Sequence, residues 1–261
     1  LQAKIAPELT FRLGAADLPW VPYAESLYGM RYFENTLTEH VKQATSSDWG
    51  IHMLGSLFDG IVSYDFAAIN GGGYKKIPSG GGTNRFDGFD FEGRVSAVYE
   101  GFNLGVGGYS GKLGIPYGTK TYHTANRLDV VGAYVADGLR VGVEYFDAND
   151  YTPALVQTPG VGDSAHGVSG FASYYFLPQW AVFARYDTAD TSTKSVPAKT
   201  NEYYTMGFTW SPTKIVDLSL AWKHEGASGG AISTQNGTIG SNTGLRTGSY
   251  NEFGLWGNLQ W

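Results

Sequence analysis

Cysteine is absent from the 261 residues, and only 16% of them are charged, for a formal net charge of -6. The first absence excludes a disulfide framework, a thiolate metal site, an iron-sulfur cluster and a cysteine nucleophile, and leaves the compartment open. The second, with no block of Lys and Arg, argues against nucleic acid as a partner. No apolar run approaches the roughly 18 residues of a membrane helix, and no charged-then-apolar signal stretch opens the chain. A mature chain or a fragment is therefore expected. What is abundant is 37 Gly beside 18 Tyr, 14 Phe and 7 Trp, far from an average soluble domain, where Gly is about 7%.

Period-two alternation dominates, and helical spacing is almost absent. Leu128, Val130, Gly132 and Tyr134 share one face, and Arg127, Asp129, Val131 and Ala133 the other. After an Asp137-Gly138 turn, Leu139, Val141, Val143 and Tyr145 return on the apolar side, opposite Arg140, Gly142, Glu144 and Phe146. That is a hairpin with a tight turn. The same unit recurs around Glu100-Gly101, Leu177-Pro178-Gln179 and Ser211-Pro212-Thr213-Lys214, and shorter alternating runs begin near Leu9, Trp49, Val62 and Phe253. About twelve strands are expected.

The placement of charge decides what kind of sheet this is. The apolar face of these segments carries no Asp, Glu, Lys or Arg, whereas the other carries six basic and eight acidic residues: Arg12, Arg94, Arg127, Arg140, Arg185 and Lys223 against Asp48, Asp65, Glu92, Asp129, Glu144, Asp187, Asp217 and Glu252. Soluble barrels turn the apolar face inward. A polar interior in an apolar jacket is what lipid demands, because an exposed charge costs about 2 to 4 kcal/mol at the midplane and every backbone group must be paired. Tyr99, Phe102, Phe176, Trp180 and Trp210 sit beside the short turns, where an interfacial girdle belongs. The expected fold is all-β: a transmembrane antiparallel up-and-down β-barrel in the bacterial outer membrane of a Gram-negative cell.

Short links are expected at 55 to 61, 100 to 101, 137 to 138, 177 to 179 and 211 to 215, and long ones at 17 to 47, 72 to 88, 110 to 126, 147 to 167, 188 to 202 and 224 to 250. The long ones, rich in Gly, Ser, Thr and Asn as in Ser79-Gly80-Gly81-Gly82, suit solvated external loops, so both termini fall on the periplasmic side. Trp261, with apolar residues at alternate positions before it, resembles an outer-membrane insertion signal. Residues 1 to 261 form one barrel domain. Either it has about twelve strands or several N-terminal strands are missing; the second is expected, making this the C-terminal part of a sixteen-strand barrel.

The stretches Phe11-Arg12-Leu13-Gly14 with Pro19-Trp20, Tyr32-Phe33-Glu34-Asn35-Thr36, Ser47-Asp48-Trp49-Gly50, Asn70-Gly71-Gly72-Gly73-Tyr74, Gly107-Gly108-Tyr109 and Gly254-Leu255-Trp256-Gly257 resemble bacterial porins of the phosphate-selective porin O and P superfamily. The resemblance implies a sixteen-strand channel, a homotrimer set in outer-membrane lipid and lipopolysaccharide, passing small hydrophilic and often anionic solutes. A sixteen-strand porin of the general kind folds its third external loop into the pore, and with four N-terminal strands missing segment 17–47 is expected to take that place here. Phosphate-specific members line the pore with Arg and Lys; the mixed inward charges here depart from that pattern.

A channel performs no chemistry, and its selectivity follows from bore and lining charge. The candidate lining comprises Arg12, Arg31, Lys42, Arg94, Arg127, Arg140 and Arg185 as the basic side, and Glu34, Glu39, Glu92, Asp129 and Glu144 as the acidic side. Cross-strand ion pairing is the structural alternative for each. Gly105-Val106-Gly107-Gly108 lacks the spacing and following Ser/Thr of a phosphate loop and reads as strand glycine. Asp147, Asn149 and Asp150 read as solvated loop residues rather than a calcium loop. The five His are scattered, so no metal or cofactor is expected. Two other classes compete: a barrel hydrolase needs an exposed Ser and His pair that the pattern does not supply, and a scaffold barrel sheathing an electron-transfer protein needs a wide lumen.

Overall fold

The computed structural model describes residues 1–6, 8–75, 88–115 and 119–259. Its main sheet is antiparallel, with thirteen strands hydrogen-bonded in chain order: β1 (Gln2–Ala6), β2 (Leu9–Asp17), β3 (Ser47–Leu57), β4 (Val62–Ile69), β5 (Asp90–Tyr99), β6 (Phe102–Gly111), β7 (Ala125–Ala136), β8 (Leu139–Asn149), β9 (Ser164–Leu177), β10 (Trp180–Ser192), β11 (Lys199–Thr213), β12 (Val216–Ser228) and β15 (Gly248–Leu259). Between the last two lies a separate hairpin, β13 (Ile232–Thr234) and β14 (Gly237–Ile239). The sheet is an unclosed barrel wall, with β1 and β15 at its edges. Short helices α1 (Val21–Tyr28), α2 (Leu37–His40) and α3 (Pro153–Gln157) lie in the links.

Local chemistry explains the hairpins. Glu100-Gly101 and Asp137-Gly138 have positive φ at both turn residues (46° and 85°; 53° and 76°), the signature of a two-residue turn whose twist matches the flanking strands. Each turn fixes the register of its hairpin, and alternation then sorts the side chains. On β7, Arg127, Asp129, Val131 and Ala133 are buried while Leu128 is 48% exposed; on β8, Glu144 and Phe146 are buried while Val143 is 54% exposed. Leu104, Phe208 and Leu220 are exposed in the same way on β6, β11 and β12. An apolar surface this continuous on a soluble monomer would be exceptional; hydrocarbon is the solvent that suits it. At the short-turn rim, Trp180 and Trp210 oppose each other across β10 and β11 and stack at 6.0 Å, and Phe102 meets Tyr134 at 4.9 Å.

Several sequence expectations are corrected. The sheet has thirteen strands, close to the twelve or so expected; the additional one is β1, five residues that pair with β2 and are too few for a period to register. Only the end of β15 lies at the short-turn rim; Leu1 faces Leu13, partway along β2, whose N–H donates to the Leu1 carbonyl at 2.8 Å. The link expected at 188 to 202 shrinks to residues 193–198, since β10 and β11 run to 13 and 15 residues, beyond the 9 to 11 or so that span hydrocarbon. Gly80, its neighbours in the expected glycine loop, and Trp261 lie outside the described residues.

Candidate pore constriction

Residues 18–46 leave the end of β2 and turn onto the charged, inward face of the sheet before returning as β3. Their local structure begins at α1, which has Pro22 in its first turn, where a missing N–H costs nothing. It stops at Gly29, whose left-handed φ of 77° lets its N–H close back onto the Glu25 carbonyl at 2.8 Å. Val21, Ala24, Leu27 and Tyr28 then pack against Val131, Ala133 and Phe171 of the wall. Further on, Phe33 meets Phe183 at 5.2 Å and Trp256 at 4.5 Å, both edge-on. Two glycines make this approach possible. A Cβ at Gly107 would fall 2.7 Å from the Trp20 ring, and one at Gly105 2.4 Å from the Tyr23 ring. The glycine run that superficially resembles a phosphate loop is therefore β6 backbone on which α1 rests.

The wall's cations grip this segment by its carbonyls. Arg94 Nε donates to Pro19 O at 2.8 Å, Arg140 Nη1 to Ser26 O at 2.7 Å, Lys223 Nζ to Phe33 O at 3.1 Å, Arg185 Nη1 to Asn35 O at 2.5 Å and Arg127 Nη1 to Gln43 O at 2.8 Å. Three of the five also pair with acids, Arg127 and Arg185 with carboxylates of the wall and Lys223 with one of the segment. Arg127 binds Asp129 at 2.7 Å and Glu92 at 3.1 Å; Arg185 binds Asp187 at 2.5 Å; Lys223 binds Glu34 at 3.1 Å. Glu144 accepts from the Trp20 indole at 3.2 Å, Leu37 N at 3.3 Å and Thr38 Oγ1 at 3.4 Å. Such buried, charge-assisted contacts fix geometry more firmly than exposed ones. The segment is thus bridged to β5, β7, β8, β10 and β12, across the inward face.

The candidate lining left out Glu225, His40 and Asn236, and Asp187 although it stands on the inward face. The signal for Asp187 and Glu225 was present: Arg127-x-Asp129, Arg185-x-Asp187 and Lys223-x-Glu225 are i, i+2 pairs, which a strand places on one face. His40 carries no such signal. Its Nε2 lies 2.9 Å from Glu225 Oε1 and its Nδ1 3.4 Å from Glu34 Oε1, while Asn236 of the β13–β14 turn donates to both carboxylates at 3.2 Å and 3.0 Å. Burial alone would favour neutral His40, but its bonds to the two carboxylates prevail and lift it to about 9. Burial would likewise raise Glu34; His40, then Lys223 and Asn236, instead hold it well below the usual carboxylate range.

This coupling sets a pH window. A histidine raised from 6.5 to about 9 contributes on the order of 3 kcal/mol. The contribution is complete below about pH 6.5 and fades as the pH rises through 9. Amide exchange across residues 33–41 is expected to accelerate between about pH 6.5 and 9 beyond the intrinsic rise, and this excess is expected to vanish in His40→Gln. An equal excess in that variant would place the titration elsewhere.

The remaining candidates are more open. Arg31, whose side chain is 46% exposed, contacts Glu25 and reaches Glu39 at 3.5 Å. Lys42 is exposed and donates to Ser233 at 2.9 Å. Arg12, half-buried, donates to Gln2 at 2.9 Å. Of the acids weighed as a calcium loop, Asp147 accepts from Asn149 and Asp150 from the Asp163 N–H. Among the described residues no group of three His, Asp or Glu is disposed to hold a metal.

No protein-family model matches the chain, and no curated protein sequence matches it. Solved structures do. The chain is similar to an anion-selective porin from Comamonas acidovorans, with 12% identity over 96% of this chain and 74% of that one and a TM-score of 0.67. It is also similar to the outer-membrane expressed OmpT of Vibrio cholerae, with 12% identity over 98% and 78% and a TM-score of 0.65. The outer membrane channel DcaP of Acinetobacter baumannii aligns at 10% identity over 96% and 71%, with a TM-score of 0.56. At these identities the likeness is one of fold: the chain has the architecture of bacterial outer-membrane β-barrel proteins.

Proposed function

We propose that this chain is an outer-membrane porin, a passive diffusion channel for small hydrophilic solutes, with segment 17–47 as its constriction. The observation that carries the reading is the bridging of residues 18–46 to the inward face of five strands by the buried Arg127, Arg185 and Lys223, the half-buried Arg94 and Arg140, and Glu144. A pore narrowed in this way selects by bore and by the charges left open to water, and passes solutes without chemistry. Arg31 and Lys42 are the exposed cations of the segment, whereas Arg127 and Arg185 act by holding it in place. Assembly as a homotrimer among lipid and lipopolysaccharide, and kinship with the phosphate-selective porin O and P superfamily, belong to the same proposal and rest on the motifs. A sheath around an electron-transfer protein is less well supported, since the protein's own segment covers the face such a partner would occupy.

Planar bilayers test this. The purified chain is expected to give open, salt-dependent currents, and neutralising Arg31 and Lys42 together to shift the reversal potential in a salt gradient towards cations. A silent barrel would favour the sheath, and an unchanged reversal potential would move the constriction elsewhere.

A further inference from the structure

Beside the segment, at the long-link end of the wall, lies an open cleft of about 520 Å³. Its floor is the stretch after α2, and its sides are the ends of β8, β9, β10 and β11 with α3 and residues 231–233. A volume of this size is typical of small-molecule sites. The lining falls into three chemical groups. Lys42 and Lys199 present ammonium groups whose partners, Ser233 for the first and the Ala231 carbonyl and Asn242 for the second, are all neutral. Ser164, Ser195 and Ser233 present hydroxyls; Val41, Leu155 and Ile232 present hydrocarbon.

The one carboxylate in the lining offers the lysines little. Asp163 already accepts from the Ser192 hydroxyl, from Ser164 N at 2.8 Å and from Lys194 N at 3.0 Å. Neither Lys42 nor Lys199 forms an ion pair among the described residues. Positive charge therefore stands uncompensated in a partly enclosed cavity, where an anion gains more than it would in open water. An orphaned acceptor stands beside it: Gln43, 6% exposed, lines the cavity, and its Oε1 has no hydrogen-bond partner. A buried acceptor left unmade costs about 1 to 3 kcal/mol, and a ligand hydroxyl would satisfy it. Lys42 itself is held at a left-handed φ of 59°, and with Tyr151 it also lines a second cavity of about 190 Å³ bounded by Thr45, Asp48 and Glu92. Lys42 thus borders both cavities, with its ammonium turned to Ser233 of the larger one.

From these groups we infer that the outer cavity is a capture site for small hydroxylated organic acids, the carboxylate facing Lys42 and Lys199 and the hydroxyls facing Gln43 and the serines. The inference rests on the channel reading for the onward passage of the solute, but the binding site itself does not.

The test uses the full chain in detergent at low ionic strength, with gluconate as probe and glucose as its neutral counterpart. Calorimetry is expected to show saturable gluconate binding at least tenfold tighter than glucose. Lys42→Gln with Lys199→Gln is expected to weaken gluconate about tenfold or more, as loss of charge-assisted hydrogen bonds requires, while Lys42→Arg retains it. Heat-modified gel mobility confirms that each variant is folded. Equal binding of the two probes, no saturation with gluconate, or unchanged affinity in the double variant overturns the site, even if the protein conducts in bilayers. Lysine-dependent binding by a barrel that stays silent supports the site and removes the channel reading.

Discussion

Excising residues 19–45 and closing the gap with a four-residue Gly-Ser link is expected to raise single-channel conductance several-fold while leaving the barrel folded. The surgery is feasible because Asp17 and Ser47 oppose each other across the β2–β3 ladder, so a hairpin-length link rejoins the strands without moving them. Every rung of the thirteen-strand sheet lies outside the excised stretch. What is lost is the apolar packing of α1 and Phe33 and the grip of Arg94, Arg127, Arg140, Arg185 and Lys223 on carbonyls. Those cations would then face water in a wider bore, where current is limited by cross-section rather than by lining charge. Conductance unchanged by the excision would mean that the segment does not narrow the pathway.

Arg185→Ala is expected to destabilise the protein by about 3 to 5 kcal/mol, the usual consequence of removing one member of a buried ion pair. Arg185 is 4% exposed and Asp187 fully buried; their separation of 2.5 Å, together with the bond from Arg185 to the Asn35 carbonyl, ties β10 to the segment. Truncation leaves a carboxylate buried without its cation and a carbonyl without its donor. Replacing both partners, Arg185→Met with Asp187→Leu, is expected to recover most of the loss, because well-packed apolar side chains substitute for a buried pair at little cost. Arg31→Ala, on an exposed pair, is expected to cost less than about 1 kcal/mol. Urea midpoints in lipid vesicles read all three. Equal small losses for Arg185→Ala and Arg31→Ala would mean that the interior charges are hydrated rather than buried.

Much of the wall was legible because strand alternation is local. The opposed faces of Arg127 to Ala133, or of Leu139 to Phe146, follow from spacing alone, and Asp137-Gly138 fixes its hairpin without help from distant residues. The short β1 was not legible, since Gln2 to Ile5 alternate over too few residues to stand out and its evidence is its pairing with β2. The inward segment was legible as a place but not as a structure. Its length marked it, whereas its helices are brief and held by tertiary contacts, so helical period had little room to register. The same limit explains the wall charges. Sequence placed Arg94, Arg127, Arg140 and Arg185 inward, but that they bind carbonyls of residues 19 to 43 depends on where the segment folds. His40 was least legible of all: its partners lie on β12 and in the segment itself, brought together only by the fold.

The chain's lack of cysteine makes one measurement especially direct. Single cysteines at Leu128, Val130 and Tyr134, and at Val131 and Ala133 on the same strand, would each carry a nitroxide in lipid vesicles, and collision with oxygen, which concentrates in hydrocarbon, would be read at every site. High accessibility at 128, 130 and 134 with low accessibility at 131 and 133 is the predicted result. The opposite phase, or no alternation along β7, would contradict a wall that turns its apolar side to lipid and its charges to an internal passage.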